Sequence, residues 1–389
     1  MDASLAAYDL APLGGVLAVG TLIALVPLAW TWRRGREGDA PALRLQAFAW
    51  LVLFLTFDLV LLGAYTRLSD SGLGCPDWPG CYGHTSPLGA GASIAAAEAA
   101  VPTGPVTASK AWVEMLHRYA ATAIGLLVIV LLAMALRAAG RSDGRIGSRW
   151  ALLTLAWICM QGTFGALTVT MRLYPAIVTL HLLAGYGLLA LLAIQAEHYA
   201  PSPLALAPSL RRGLLAVAAL TIAQAALGGW VSSNYAVLAC RDFPTCQGSW
   251  WPEMSAAGFV IVRPLGESGG AGYLPFAALT AIHMAHRIGA LVVLAALVAL
   301  AWRLGAAGAA TRPWALGLLG LAAWQAASGL GNVVLGWPLF AAVSHTGGAA
   351  ALVVVLTLLL ARSAPRSAAR HDAERPVASP PPAWRTRIG

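Results

Sequence analysis

The sequence predicts an all-α polytopic membrane protein: two pseudo-symmetric four-helix transmembrane bundles plus one extra N-terminal transmembrane helix. Three observations predict this fold: an apolar composition, a series of long apolar runs, and an internal repeat. Of the 389 residues, 59% are hydrophobic and only 11% are charged, and the mean hydropathy is +0.71. A soluble domain carries about a quarter charged residues, so the composition indicates a chain that lies largely in lipid.

Nine apolar runs are each long enough to cross a bilayer as a helix, because roughly 20 helical residues span the ~30 Å hydrocarbon core. The predicted spans are residues 10–32, 45–64, 111–136, 150–171, 177–197, 213–232, 279–301, 313–335 and 338–361. Signal and transit peptides are basic, whereas Asp2 and Asp9 precede the first span, so we expect this span to stay in the membrane.

Basic residues are concentrated on one side of the predicted membrane. Of the 25 lysines and arginines, 18 fall in the connections after the first, third, fifth and seventh spans or in the C-terminal tail. By the positive-inside rule this side is cytoplasmic, so the N-terminus is predicted outside and the C-terminus inside a bacterial inner membrane. The net charge of +9 therefore reflects topology in membrane lipid, and no nucleic-acid partner is expected.

The chain repeats one four-span unit. "LGAYTRLSDSGLGCPDWPGCYG" (62–83) aligns with "LGGWVSSNYAVLACRDFPTCQG" (227–248), 165 residues later, and "EMLHR" (114–118) aligns with "HMAHR" (283–287). "QGTFGALTVTMRLYPAIVTLH" (161–181) aligns with "QAASGLGNVVLGWPLFAAVSH" (325–345), 164 residues later. The repeat predicts a first bundle at 44–200 and a second at 201–362. Residues 1–43 form the extra helix and a cytoplasmic loop, and residues 363–389 form a disordered tail.

The cysteines indicate two small loops on the outer, oxidising face of the membrane. Disulfides persist there, so we expect Cys75–Cys81 and Cys240–Cys246 to be paired. Each pair is either a structural clasp or, in one bundle, a redox-active group beside a site. The remaining cysteine, Cys159, is predicted to lie in the core.

Four histidines occupy corresponding places in the repeat, roughly 10 Å below the outer boundary. In an up-down bundle the second and fourth helices are diagonal, so His117 should face His181, and His286 should face His345. Two imidazoles across a bundle suit a haem iron; zinc is the weaker interpretation because no third ligand is evident. The chain has no CxxCH motif, so covalent haem is not indicated. Glycines expected to admit the flat ring are 125, 185, 289, 347 and 348.

Ionisable residues near these histidines indicate what each half of the chain does. Arg118 and Arg287 either contact haem propionates or extend toward the interface as snorkelling cations. One turn before the histidine, the first half has Glu114 and the second has His283. An intramembrane carboxyl is costly, so Glu114 indicates chemistry in the first half and a redox cofactor in the second. Asp58 is a further buried carboxylate candidate, for packing or a proton path.

Together these motifs resemble the haem A synthase family, whose members convert haem O to haem A for terminal oxidases. The resemblance rests on "GAYTRLSDSGLGCPDWPGCYG", "EMLHR", "VTLHLLAG", "LGGWVSSNYAVLACRDFPTCQG", "HMAHR" and "VSHTGG", and spans residues 63–348. It implies eight spans in two pseudo-symmetric bundles, with haem b as the cofactor on His286 and His345. It also implies that His117 and His181 hold the substrate haem O, and that Glu114 is catalytic. The first cysteine pair is implicated in activity in some members, and the extra N-terminal span departs from the family pattern.

The reaction that the resemblance implies is oxidation of a haem methyl group to a formyl group. Two successive two-electron oxidations would pass through an alcohol and a hydrated aldehyde, with oxygen from water. Glu114 would accept a proton or position water, and electrons would leave through haem b to an acceptor that the sequence does not identify. Haem O synthase and oxidase assembly factors are the implied partners, and a homo-oligomer is compatible with the sequence.

Two other classes of protein remain as alternatives. A dihaem b-type, quinol-linked electron carrier needs the four histidines but gives Glu114 and the cysteine loops no task. A transporter built from repeats leaves the four histidines without a function.

Overall fold

The computed structural model describes residues 8–34, 40–141, 147–264 and 273–363. Its helices are α1 (Leu13–Arg34), α2 (Pro41–Leu68), α3 (Gly91–Ala100), α4 (Ala108–Arg141), α5 (Arg149–Thr170), α6 (Pro175–Tyr199), α7 (Pro208–Ser233), α8 (Phe276–Ala306), α9 (Arg312–Val334) and α10 (Leu339–Arg362). Short 3₁₀ turns cover Ala236–Ala239 and Ala256–Phe259. Strand β1 (Tyr8–Asp9) pairs in parallel with β2 (Trp78–Pro79). The predicted disordered tail lies outside the described residues from 364 onward.

The all-α membrane fold is confirmed, and each predicted span falls on one of the long helices. Eight described helices are long and apolar enough to cross a membrane; α9 is not among them. Helix α9 has 23 residues, but Gln325, Ser328 and Asn332 lower its hydropathy. The ninth span therefore stays a prediction.

The long helices form two rings of four. In the first ring α2, α4, α5 and α6 contact one another in sequence, and α6 closes back on α2; in the second, α7, α8, α9 and α10 do the same. Helices α4 and α6 are thus diagonal, as are α8 and α10. Buried leucines fill the interior of each ring, including Leu127 and Leu189 in the first and Leu297 and Leu318 in the second.

The two rings meet through α2 and α6 on one side and α7 and α10 on the other. Arg67 Nη2 donates to the Ser232 carbonyl over 2.6 Å, and Arg362 Nε pairs with Glu197 Oε2 at 2.9 Å. The partners in each contact are 165 residues apart, the offset of the repeat. Contacts between equivalent positions are expected near a two-fold axis, which supports pseudo-symmetry. The duplication and the domain boundaries stay predictions.

The extra helix α1 packs against α4, outside the first ring. Small residues permit the close approach: a Cβ atom on Gly20 would lie 2.5 Å from Thr122 Cγ2. Val16 is buried in a cluster with Cys75 and Cys81, and β1 pairs with the loop between those cysteines. The N-terminal segment therefore covers the first cysteine loop, a role that the sequence did not indicate.

Candidate functional site

The four histidines lie on the diagonal helices of the two rings, as predicted. His117 is on α4 and His181 on α6; His286 is on α8 and His345 on α10, and all four are half-buried. Each imidazole faces a glycine on a neighbouring helix. A Cβ atom would approach the ring Cε1 atom to 2.9 Å at Gly63 (His117), 3.4 Å at Gly165 (His181), 3.1 Å at Gly228 (His286) and 3.1 Å at Gly329 (His345).

Sequence reasoning missed these four glycines, although a signal was present. Gly63 and Gly228 are 165 residues apart, and Gly165 and Gly329 are 164 apart, which are the offsets of the repeat. Tertiary packing shows what the glycines provide: recesses that accept the imidazole rings.

The glycines that the sequence had suggested serve mostly other neighbours. A Cβ atom on Gly289 would overlap Gln224 Oε1, and one on Gly348 would overlap Gln325 Nε2. On Gly347 it would lie 2.6 Å from Leu61 Cδ2, and on Gly185 3.4 Å from Gln161 Nε2. A Cβ atom at Gly289, Gly347 or Gly348 would overlap a side chain of an adjacent helix, so these three have a packing role; that the five glycines admit a flat ring stays a prediction. Only Gly125 of the five has nothing within 4 Å.

The second pair of histidines is arranged as two ligands of one metal would be. The ring centroids of His286 and His345 lie 6.4 Å apart, with the ring planes at 80°. Two metal–imidazole bonds of about 2.0–2.1 Å, plus ring radii of about 1.1 Å each, give about 6.3 Å. Within the described ranges, no group of three or more His, Cys, Asp or Glu side chains converges to hold a metal ion. Two nitrogens suit an iron whose other ligands come from a porphyrin, so the residues fit a haem.

Both second-half rings are also held at their other nitrogen. Gln224 Nε2 lies 2.9 Å from His286 Nδ1 and donates to the His286 carbonyl over 2.8 Å. Ser328 Oγ lies 2.9 Å from His345 Nδ1, and Gln325 Nε2 donates to the His345 carbonyl over 2.9 Å. The Ser328 hydroxyl can accept Nδ1–H of His345, which is what outer partners of metal-bound histidines do. Gln224 Nε2 can only donate, so it restrains His286 through the carbonyl of that residue.

The first pair lacks that second layer of contacts. Gln161 Nε2 donates to the His181 carbonyl over 3.0 Å, matching Gln325 in the second half. His117 Nδ1 and His181 Nδ1, however, are buried without a hydrogen-bond partner among the described residues. The two halves therefore place their histidines on equivalent helices but differ in the groups beside Nδ1.

Glu114 is buried and held by two neighbours. Its Oε2 accepts a hydrogen bond from the Cys75 backbone N–H at 2.8 Å, and its Oε1 pairs with Arg118 Nη2 at 2.5 Å. The carboxylate thus links α4 to the first cysteine loop. It lies one helical turn from His117, on the same face.

The arginines after the histidines bind loop carbonyls. Arg118 is 9% exposed and donates to the carbonyl oxygens of Asp77, Pro79 and Gly80. Arg287 donates to those of Cys240, Asp242 and Thr245. Each guanidinium anchors its cysteine loop to the histidine helix, a role that neither sequence interpretation included; propionate contact stays a prediction.

His283, the counterpart of Glu114, is buried, and its Nδ1 has no hydrogen-bond partner in the described part of the chain.

The two cysteine loops have the same construction. Both predicted disulfides, Cys75–Cys81 and Cys240–Cys246, are formed and buried. Inside the first loop Asp77 accepts from the backbone N–H groups of Tyr82 and Gly83, and inside the second Asp242 accepts from those of Gln247 and Gly248. Hydrogen bonds from the Thr245 hydroxyl and these backbone groups lower the pKa of Asp242 to about 2.

Two sequence expectations about burial were wrong. Cys159 is a free, exposed thiol on α5, and Asp58 is exposed on α2. Lipid-facing and core-facing positions of a transmembrane helix are both apolar, so the surrounding sequence could not separate them.

A family model and several known proteins match this chain. The family model of cytochrome oxidase assembly proteins matches residues 46–357. A protein named Heme A synthase from Shewanella oneidensis is 39% identical over 316 residues, which cover 79% of this chain and 93% of that protein. Another of that name from Halalkalibacterium halodurans is 30% identical over 268 residues, covering 67% and 76%. A third, from Methylobacterium sp. strain 4-46, is 29% identical over 348 residues, covering 84% and 93%. The chain thus belongs to the family of cytochrome oxidase assembly proteins.

Proposed function

We propose that this protein is a haem A synthase, which oxidises a methyl group of haem O to the formyl group of haem A for terminal oxidases. The observation that carries the proposal is the pair of diagonal histidine sites, one per bundle, with every imidazole seated in a glycine recess. The names of the relatives support the same activity. The proposed location is the bacterial inner membrane, with both cysteine loops outside.

The halves have different proposed tasks. In the second bundle His286 and His345 would hold haem b, which supplies one-electron redox chemistry when bound. In the first bundle His117 and His181 would hold haem O as substrate. The restrained rings of the second half and the unrestrained rings of the first support this division.

The reaction requires water and an electron acceptor. Conversion of a methyl group and one water to a formyl group releases four electrons and four protons, in two two-electron steps. An external acceptor must take the electrons, and its identity is open. Haem O synthase and oxidase assembly factors are the proposed partners for supply and delivery.

Glu114 is the proposed proton acceptor or water-positioning group. A carboxylate offers about four lone-pair positions, and Cys75 and Arg118 occupy one each, so the oxygens can still accept a hydrogen bond from water. Its fixed position one turn from His117 suits a group that acts beside the substrate.

Pigment analysis tests the activity. Membranes from cells that express this chain with a source of haem O should contain haem A. Replacing His286 or His345 with alanine should remove the stably bound b-type haem, whereas replacing His117 or His181 should spare it and abolish haem A. A dihaem electron carrier would give no haem A with any variant. Loss of all haem from the first-half variants alone would reverse the division of tasks.

Orientation is tested with an impermeant thiol reagent after reduction of the disulfides. Cys75 and Cys240 should be labelled in intact spheroplasts. Labelling of Cys75 only in inverted vesicles would show that the proposed topology is reversed.

A further inference from the structure

The two bundles differ in what touches the Nδ1 atoms of their histidines. In the second bundle Gln224 and Ser328 lie within hydrogen-bond distance of them. At the positions that correspond by the repeat offsets, the first bundle has Leu59 and Phe164, whose side chains have no hydrogen-bonding group. The histidines of the first bundle therefore lack hydrogen bonds at Nδ1 from these two positions because Leu59 and Phe164 cannot form them.

We propose that Ser328, which can accept Nδ1–H of His345, and Gln224, which holds the His286 carbonyl, are positioning residues that retain a resident haem in the second bundle. Without counterparts, the first bundle binds its haem loosely enough for substrate to enter and product to leave. This inference rests on the proposed function, which requires one haem to stay and another to be exchanged. Losing an outer partner of a metal-bound histidine typically weakens metal binding by roughly 10–100-fold, which is enough to separate the two behaviours.

The recess that admits Gln224 is also specific to the second bundle. Gly289 lies three residues after His286, and a Cβ atom there would overlap Gln224 Oε1. The residue three positions after His117 is Ala120, which carries that Cβ atom. Glutamine at position 59 would therefore lack the space that position 224 has. Two positions, not one, distinguish the bundles at this contact.

Ser328 is placed so that its hydroxyl oxygen can accept a hydrogen bond from the His345 ring. Its Oγ donates to the Trp324 carbonyl over 2.6 Å, which leaves a lone pair to accept Nδ1–H of His345. That tautomer keeps His345 Nε2 unprotonated, as metal ligation requires. The side chain is 7% exposed, so water does not readily replace it.

The first test measures the loss of resident haem. Purified full-length protein is mixed with excess apomyoglobin, and haem transfer is followed by absorbance. Ser328→Ala should release the b-type haem about tenfold faster or more. Gln224→Leu, which inserts the residue of the first bundle, should also release it faster than wild type. Ser344→Ala is the matched control, because Ser344 Oγ donates to the Ala341 carbonyl of its own helix and to no other described residue. Release within twofold of wild type for both loss variants would overturn the proposal.

A second readout separates positioning from general destabilisation. Removing the Nδ1–H acceptor makes the imidazole a weaker electron donor, so the midpoint potential of the resident haem should rise in Ser328→Ala. Ser328→Thr keeps a hydroxyl and should restore both the potential and the slow release. An unchanged potential in Ser328→Ala would also overturn the proposal.

The converse variants transfer the contacts to the first bundle. Phe164→Ser, combined with Leu59→Gln and Ala120→Gly, should raise the haem retained after detergent washing and slow the release of haem A. Unchanged haem content would overturn the statement about the first bundle. If wild-type protein makes no haem A, the proposed function fails; if it makes haem A but the loss variants release haem normally, only this inference fails.

Discussion

The recess beside His345 permits a test with a single added methyl group. In Gly329→Ala the new Cβ atom would lie 3.1 Å from Cε1, 3.6 Å from Nδ1 and 3.9 Å from Nε2 of the His345 ring. Ordinary van der Waals contact requires about 3.5–4.0 Å between carbon atoms. The ring must therefore move by a few tenths of an ångström, but Ser328 holds its Nδ1.

The size of the effect follows from the cost of displacing a side chain. A side chain forced off its rotamer loses about 0.5–1.5 kcal/mol. At 1.4 kcal/mol per tenfold, haem binding should weaken by about 2- to 12-fold. The same substitution stabilises a helix by about 0.5–1 kcal/mol, so thermal stability of the haem-free protein should not fall.

The assay compares haem retention with apoprotein melting in variants of matched chemistry. Gly320→Ala lies in the same helix with nothing within 4 Å, and should retain haem as wild type does. Gly165→Ala places its Cβ atom 3.4 Å from His181 Cε1 and should be tolerated. If Gly329→Ala and Gly320→Ala retain haem equally, the glycine recess does not position the ligand and the reasoning is refuted.

Three further predictions concern the first bundle and the loops. Glu114→Gln keeps the shape of the side chain and should retain the resident haem. The amount of haem A made per haem-loaded protein should fall by about 10²–10⁴-fold. If that amount stays near wild type, Glu114 has no part in the mechanism. Because the pKa of Asp242 is lowered to about 2 from 3.8, its ionised form stabilises the second cysteine loop above about pH 4, and this is lost toward pH 2. The rate at which a phosphine reduces that loop's disulfide in wild type, divided by the rate in Asp242→Asn, should rise from pH 4 to pH 2. A ratio that does not change with pH would exclude this carboxyl. Gly20→Leu should force α1 away from Thr122 and expose the first disulfide to reductant. The second disulfide is the internal control. If the first disulfide is reduced equally slowly before and after the change, α1 does not cover it.

Much of the fold could be predicted because its signals are local in the sequence. A run of apolar residues long enough to span lipid predicts a helix wherever it occurs, and nine of the ten α-helices follow those runs; the ten-residue α3 does not. The six-residue spacing of Cys75 and Cys81 also restricts their partners before any packing is known. Diagonal placement of His117 and His181 followed from helix order alone, since short connections make consecutive helices neighbours.

The finer features of the site could not be predicted, because they depend on contacts between distant segments. Gln224 reaches His286 across 62 residues, and Arg118 reaches the Asp77 carbonyl across 41. Which side of a helix meets which neighbour depends on helix rotation, and the apolar pattern of a lipid-embedded helix defines rotation weakly. The same ambiguity misplaced Asp58 and Cys159.

The sequence by itself determined the helical membrane fold, the two disulfides and the helices that carry the four histidines, since composition, run length and spacing are properties of short segments. Only the tertiary structure decided that glycines on neighbouring helices seat the imidazoles and that α1 covers the first cysteine loop. It also decided that, among the described residues, the histidine Nδ1 atoms have a side chain within hydrogen-bond distance in the second bundle and none in the first. The physical reason is that each of these features is a close approach between different helices. Such an approach exists only once the helices have packed at a particular rotation and depth.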